Sequence, residues 1–233
     1  MRDVTGQVVE LRIWGTERIA PALTRMASGR FGLRATPGLE FAKLLGTGSG
    51  ETFTMRDADP HHWALLTVWE DEAAAAAGAA SKVIDGWSAV SDEQLTVRMR
   101  PLATKGRWSR REPFAVDDPS GRRRWDGPVA AITRARLRPT RALSFWRAVP
   151  PVVGELAGSE GLRLAVGVGE SPIGLQGTFS LWRDSRALTD FAYRSPAHAT
   201  AIRQTRPQRW YAEDLFARFA VLDVDGTYDE VEP

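Results

Sequence analysis

The sequence contains no cysteine among its 233 residues and only three histidines. Without cysteine the chain cannot form disulfides, iron–sulfur clusters, thiolate-ligated haem or a cysteine nucleophile. No apolar run approaches the length of a membrane span, and residues 1–5 carry no apolar signal core. We therefore expect a cytoplasmic protein without a membrane span.

The chain has little excess charge, with 31 basic and 29 acidic side chains and a net charge of +2. Its basic clusters, at 107–111 and 122–124, lie in stretches rich in glycine, proline and serine, which is typical of solvated linker charge. We therefore expect no nucleic-acid partner. The hydrophobic content of 43% suffices for one sizeable core or two small domains.

Alternating and helical patterns occur in the same order in both halves of the chain. In the first half they predict strands at 8–14, 39–45, 63–69 and 94–99 and helices at 17–28 and 71–80. In the second half they predict strands at 129–137, 162–168, 177–182 and 215–221 and helices at 142–156, 185–193 and 196–205.

Individual residues also repeat between the halves, which indicates an internal duplication. Trp69-Glu70-Asp71 matches Trp182-Arg183-Asp184, and Glu93, Leu95 and Arg98 match Glu213, Leu215 and Arg218. We predict an α+β fold of tandem ferredoxin-like modules that form a pseudo-dimeric α+β barrel. The first half would be 1–103, a scaffold, the linker 104–126, and the second half 127–233.

The run Arg194-Ser195-Pro196-Ala197-His198 breaks this symmetry, because the matching region 81–87 has no histidine. Ser195 suits a helix N-cap and Pro196 the first helical position. His198 then lies in the first turn, where the helix dipole favours a neutral imidazole that is able to bind a metal. A structural role for this histidine is the alternative.

The sequence resembles the spheroidene monooxygenase family over roughly residues 8–222. The resemblance rests on these stretches: Phe41 to Phe53, Trp63 to Trp69, Gly106-Arg107-Trp108 with Pro113-Phe114, Tyr193 to His198, and Arg206 with Trp210 to Phe219. It implies the dimeric α+β barrel fold and a haem-dependent oxidoreductase, with haem b held by His198 in the second half. Fold alone does not determine the substrate, which we expect to be an apolar or amphipathic small molecule.

Further residues follow from this placement of haem. Four arginines surround the predicted helix and are candidates for binding the haem propionates, although a solvated face is the alternative for each: Arg194, Arg203, Arg206 and Arg209. Phe145, Trp146 and Phe179 are candidates to line an apolar pocket, with core packing as the alternative.

Other interpretations stay open. They are haem-iron chemistry on a nitrogen substrate, as in aldoxime dehydration or nitrogen–nitrogen reactions, oxygenation without a cofactor, and a non-catalytic module that binds haem or a small molecule. An electron donor and association into a homo-oligomer also stay open. We interpret His61 and His62 as exposed loop residues, since further metal ligands at suitable spacing are missing.

Overall fold

The structure is a computed structural model. It describes residues 6–33, 36–49, 57–118, 124–141, 144–145, 154–170, 177–194, 196, 200, 203 and 210–233. Among these residues, no helix is both long enough and apolar enough to cross a membrane.

The first half contains the predicted strands and helices and one additional helix. The elements are β1 (Val8–Gly15), α1 (Ile19–Gly32), β2 (Leu39–Gly48), β3 (Ala58–Trp69), α2 (Glu72–Gly78), α3 (Lys82–Ser88) and β4 (Glu93–Gly106). The predicted helix over 71–80 therefore ends at Gly78, and α3 begins after the N-cap Ser81, whose side chain accepts from the Ile84 N–H. The last residues of β4 lie in the segment that we predicted as a linker.

The second half repeats the strand pattern. It contains β5 (Val129–Leu137), a short 3-10 helix (Pro139–Arg141), β6 (Leu162–Gly169), β7 (Gly177–Trp182), α4 (Ser185–Arg194) and β8 (Tyr211–Gly226). β8 is much longer than the predicted strand over 215–221. Most of the predicted helices over 142–156 and 196–205 lie outside the described residues.

The strands form one closed barrel in the order β1-β3-β2-β6-β7-β5-β8-β4. Each half supplies four antiparallel neighbours, and the halves join where β2 pairs with β6 and β4 with β8. A closed barrel leaves no strand edge unpaired. This architecture confirms the predicted α+β barrel of tandem ferredoxin-like modules.

Equivalent side chains make equivalent local contacts in the two halves. Asp71 accepts a hydrogen bond from the Ala74 N–H at 2.8 Å, and Asp184 accepts one from the Ala187 N–H at 2.8 Å, so both carboxylates cap a helix. Likewise, the Trp69 indole donates to Thr67 Oγ1, and the Trp182 indole donates to Ser180 Oγ. The duplication is thus visible in the contacts that begin each helix.

The interior of the barrel is filled by apolar side chains from all eight strands of the barrel order, so it is a packed core. Alternate residues of each strand point inward, as the two-residue period of a strand requires. Fully or almost fully buried examples are Leu11, Leu66, Val97, Ile132, Phe179 and Phe219. Any ligand site therefore has to lie outside this interior.

Both ends of the barrel are closed by a tight turn that follows a long strand. Gly106 at the end of β4 and Gly226 at the end of β8 have φ values of +97° and +93°, which only glycine adopts without strain. A Cβ at these positions would lie 2.2 Å from the Asp214 carbonyl oxygen and 2.0 Å from that of Gln94. The turns bring Trp108 and Tyr228 against the barrel core.

Candidate functional site

The outer faces of the two halves differ, although their backbones correspond strand by strand. In the first half, one row across the sheet reads Thr67, Glu10 and Arg98 on β3, β1 and β4. The same row in the second half reads Ser180, Ala131 and Arg218 on β7, β5 and β8. The glutamate of the first half is thus an alanine in the second.

The next row toward the C-terminal end of β1 shows a larger change. It reads Leu65, Arg12 and Thr96 in the first half and Thr178, Thr133 and Phe216 in the second. One row further, β1 carries Trp14 opposite Gln94, whereas β5 carries Ala135 opposite Asp214. Three large side chains of β1 therefore correspond to alanine or threonine on β5.

Aromatic side chains fill the outer face of the first half. Trp14 stacks on Trp87 of α3, with ring centroids 5.4 Å apart and an interplanar angle of 13°. The ring centroid of Trp63 lies 6.1 Å from that of Trp87, with an interplanar angle of 33°. These indoles form a buried cluster with Leu65 and Ile84, so the sheet under α3 is tightly packed. An open groove of about 540 Å³ remains beside α1 and β2.

The outer face of the second half has small side chains at the equivalent positions. Thr133 is exposed, and Ala131 and Thr178 are half-buried. Phe216 on the neighbouring strand is 40% exposed, although large aromatic side chains usually become buried. We call this outer surface of β5, β7 and β8 the β5 face, and its exposed side chains are partly apolar.

The predicted site residues within the described part of the chain lie at different places. Phe145 makes edge contacts with Trp210 and Tyr211, at centroid distances of 5.7 and 5.9 Å. Phe179 is fully buried in the barrel interior, on the opposite side of β7 from Thr178 and Ser180. Because of this alternation, Phe179 contributes to the barrel core and not to the β5 face.

The two described arginines of the predicted propionate cluster are exposed. Arg194 forms an ion pair with Asp190 at 3.3 Å, and Arg203 donates to Thr200 Oγ1 at 2.8 Å. Arg194 also borders an open groove of about 770 Å³ beside α4, which has lining side chains of both charges. Four of the predicted residues, His198, Trp146, Arg206 and Arg209, lie outside the described residues.

The structure places His61 and His62 in β3, so the interpretation of both as loop residues was wrong. His62 is largely buried at one end of the barrel, with 12% of its side chain exposed. Its Nδ1 lies 2.6 Å from Asp59 Oδ2 and its Nε2 3.1 Å from Glu93 Oε2. The hydrogen bond with Asp59 outweighs the effect of burial and, together with Glu93, raises the pKa of His62 to about 9. His62 is therefore charged at neutral pH and ties β3 to β4.

At the opposite end of the barrel, Arg134 holds two carboxylates. It donates to Glu213 and, at 2.7 Å, to Glu170, which also accepts from the Trp108 indole and from Lys43 Nζ. Burial alone would raise the pKa of Glu170, but the hydrogen bonds of Lys43 and Trp108 and the nearby charge of Arg134 hold that pKa below its usual value. Since Lys43 belongs to β2 and Glu170 follows β6, this network ties the two halves together.

Neither charged cluster has a composition typical of a metal site. Among the residues that the structure describes, no group of three or more histidine, aspartate or glutamate side chains could hold a metal ion. A haem needs a single protein ligand, so this observation concerns ions held by protein side chains alone. The chain is thus a pseudo-dimeric α+β barrel whose second half carries smaller side chains on the outer face of β5 than the first half carries on β1.

Three curated proteins are similar to this chain over most of its length, and each is named spheroidene monooxygenase. The protein from Rhodobacter capsulatus is 33% identical over 226 residues, which cover 95% of this chain and 92% of that protein. The one from Rubrivivax gelatinosus is 38% identical over 216 residues, 90% of this chain and 81% of that protein. The one from Cereibacter sphaeroides is 33% identical over 226 residues, which cover 96% of this chain and 66% of that protein.

The chain belongs to the spheroidene monooxygenase family. This membership supports a monooxygenase-like oxidoreductase function. No profile of an established protein family matches the chain.

Solved structures agree with the fold. An aldoxime dehydratase is similar with a TM-score of 0.61 and 12% identity, covering 98% of this chain and 87% of that one. Another, OxdRE in complex with butyraldoxime, has a TM-score of 0.59 and 14% identity, with coverages of 95% and 81%. At such identities the likeness extends to the fold alone.

Proposed function

We propose that the chain is a haem-dependent monooxygenase that acts on an apolar or amphipathic small molecule, with haem b bound against the β5 face. The proposal rests on membership of the spheroidene monooxygenase family together with the difference between the outer faces of the two halves. The first-half face is filled by Trp14, Trp63 and Trp87, whereas the second-half face is floored by small side chains such as Thr133 and Thr178. A duplicated fold needs only one such opening to bind one cofactor per chain.

His198 is the proposed axial ligand of the haem iron, because it is the histidine of the second half and lies in the first turn of a predicted helix. The haem, when bound, would supply the means of activating dioxygen. Arg194, Arg203, Arg206 and Arg209 are the proposed contacts of the propionates, and Phe145 with Trp146 the proposed apolar contacts of the substrate.

An absorbance spectrum tests the proposal. We expect protein produced with a haem precursor to show a Soret band that shifts on reduction with dithionite and again on addition of carbon monoxide. The variant His198→Ala should lose the band while its circular dichroism spectrum is retained. Haem binding that is unchanged in His198→Ala would overturn the assignment of the ligand.

Turnover experiments separate oxygenation from the other haem reactions. A monooxygenase consumes dioxygen together with a reductant, so exclusion of air should stop product formation. Product formation under argon from an aldoxime such as butyraldoxime would instead favour chemistry on nitrogen. A colourless protein that still consumes oxygen with substrate would favour oxygenation without a cofactor.

A further inference from the structure

We propose that Arg218 binds the carboxylate group of a ligand held on the β5 face. The inference deepens the proposed function, because it names a residue and a chemical group for the same face. It rests on the comparison of Arg218 with Arg98, which is its equivalent in the first half.

Arg98 forms ion pairs with two carboxylates on the outer face of the first half. Its Nε lies 3.3 Å from Glu10 Oε1, and its guanidinium also forms an ion pair with Glu72. Glu10 is directly opposite Arg98 on β1, and Glu72 is the first residue of α2 after the N-cap Asp71. Glu10 also pairs with Arg12 at 3.1 Å, so the two carboxylates balance the charges of two arginines.

Arg218 occupies the same register position on β8 but has lost both carboxylates. Ala131 is directly opposite Arg218 on β5, in the place of Glu10. Ser185 is the first residue of α4 after Asp184, in the place of Glu72. Arg218 is half-buried, and its Nε, like that of Arg98, is buried without a hydrogen-bond partner among the described residues. Unlike Arg98, Arg218 forms no ion pair with a carboxylate of the described residues.

The sequence offers few other acids to neutralise Arg218. Residues 142–153, 171–176 and 195–209, which include the predicted helix over 196–205 and most of the one over 142–156, contain no aspartate or glutamate. On its own strand the outward-facing acid Asp214 is four residues away, about 13 Å along the strand. Arg100 on the adjacent β4 adds a second cation whose Nε has no partner within the described structure.

A half-buried guanidinium without a counter-ion is costly unless a ligand supplies the charge. A carboxylate suits it best, because the planar guanidinium can donate two parallel hydrogen bonds to it. Ala131, Thr133 and Phe216 provide a partly apolar surface beside this charge. The face is therefore suited to an apolar molecule that carries a carboxylate, either a haem propionate or the carboxylate of a second ligand.

Titrations of the intact protein with pairs of probes distinguish these sources. Haemin is compared with its dimethyl ester, and decanoate with decanol, in the wild type and in Arg218→Gln. If the carboxylate is a propionate, Arg218→Gln weakens binding of haemin on the order of tenfold to a hundredfold but leaves binding of the dimethyl ester unchanged. If it belongs to a second ligand, only the affinity for decanoate falls by that factor.

Two further variants control for a structural role of the arginine. Arg98→Gln leaves Glu72 unpaired and removes one of the two arginines that pair with Glu10, so it should lower the melting temperature without changing either affinity. Arg218→Gln should not lower the melting temperature. Ala131→Glu gives Arg218 the partner that Arg98 has, so it should raise the melting temperature and weaken carboxylate binding.

The inference is overturned if Arg218→Gln changes neither affinity, or if it weakens each carboxylate and its uncharged counterpart equally. If the wild type binds no haem, the proposed function fails. In that case the decanoate titration alone shows whether Arg218 binds a carboxylate.

Discussion

The charged state of His62 predicts a measurable pH dependence of stability. The folded protein raises the pKa of His62 from 6.5 to about 9, a difference that corresponds to roughly 3 kcal/mol. Because the folded pKa is the higher one, this stabilisation is fully present below about pH 6.5 and is lost as the pH rises through 9. His62 is only 12% exposed, so solvent screens its pairs with Asp59 and Glu93 weakly.

Urea unfolding of the wild type and of His62→Gln at pH 6 and pH 9.5 measures this contribution. Between these two pH values the wild type should lose roughly 3 kcal/mol more free energy of unfolding than the variant. His61→Gln is the matched control, because the His61 side chain is 41% exposed, and it should behave as the wild type. Equal losses in the wild type and in His62→Gln would refute the assigned pairing.

Three other substitutions test the fold. Trp87→Ala removes the centre of the indole stack and should cost about 3–5 kcal/mol in urea unfolding, whereas a cost below 1 kcal/mol would contradict tight packing of this face. Gly106→Ala should lower the free energy of unfolding by about 1–3 kcal/mol, because Gly106 has a positive φ. Gly154→Ala is the control and should lower it by nothing, since the added Cβ would meet no atom within 4 Å. Equal effects of the two variants in thermal unfolding would argue against the turn at Gly106. Glu170→Gln removes the charge that pairs with Lys43 and Arg134 and should lower the free energy of unfolding by about 1–3 kcal/mol. If the three residues form one network, the double variant with Lys43→Met should be little less stable than Glu170→Gln alone.

The strand pattern was predictable because alternation follows directly from burial on one side of a strand. Local roles are visible in sequence because they repeat in both halves. Asp71 and Asp184 each cap a helix. Trp69 and Trp182 each pack under one. The separate helix α3 was missed because the alanine-rich run before it continues the helical pattern up to Ser81.

The charged networks were not predictable, because their members are far apart in the chain. His62 meets Glu93 and Tyr228 only once the barrel closes, and Lys43 meets Glu170 only across the junction of the halves. One signal was available for the site: aligning the halves shows that Glu10 corresponds to Ala131 while its partner arginine is retained. The placement of haem at His198 stays a prediction, because that residue lies outside the described ones.

Two tryptophan variants test directly whether haem binds to the β5 face and is excluded from the equivalent face of the first half. Thr133→Trp places an indole on the exposed floor of the β5 face, and Thr96→Trp places one on the outer face of the first half. Haem titration followed at the Soret band should show no binding to Thr133→Trp and wild-type binding to Thr96→Trp, with both variants folded by circular dichroism. Wild-type binding to Thr133→Trp would contradict the binding of haem at the β5 face.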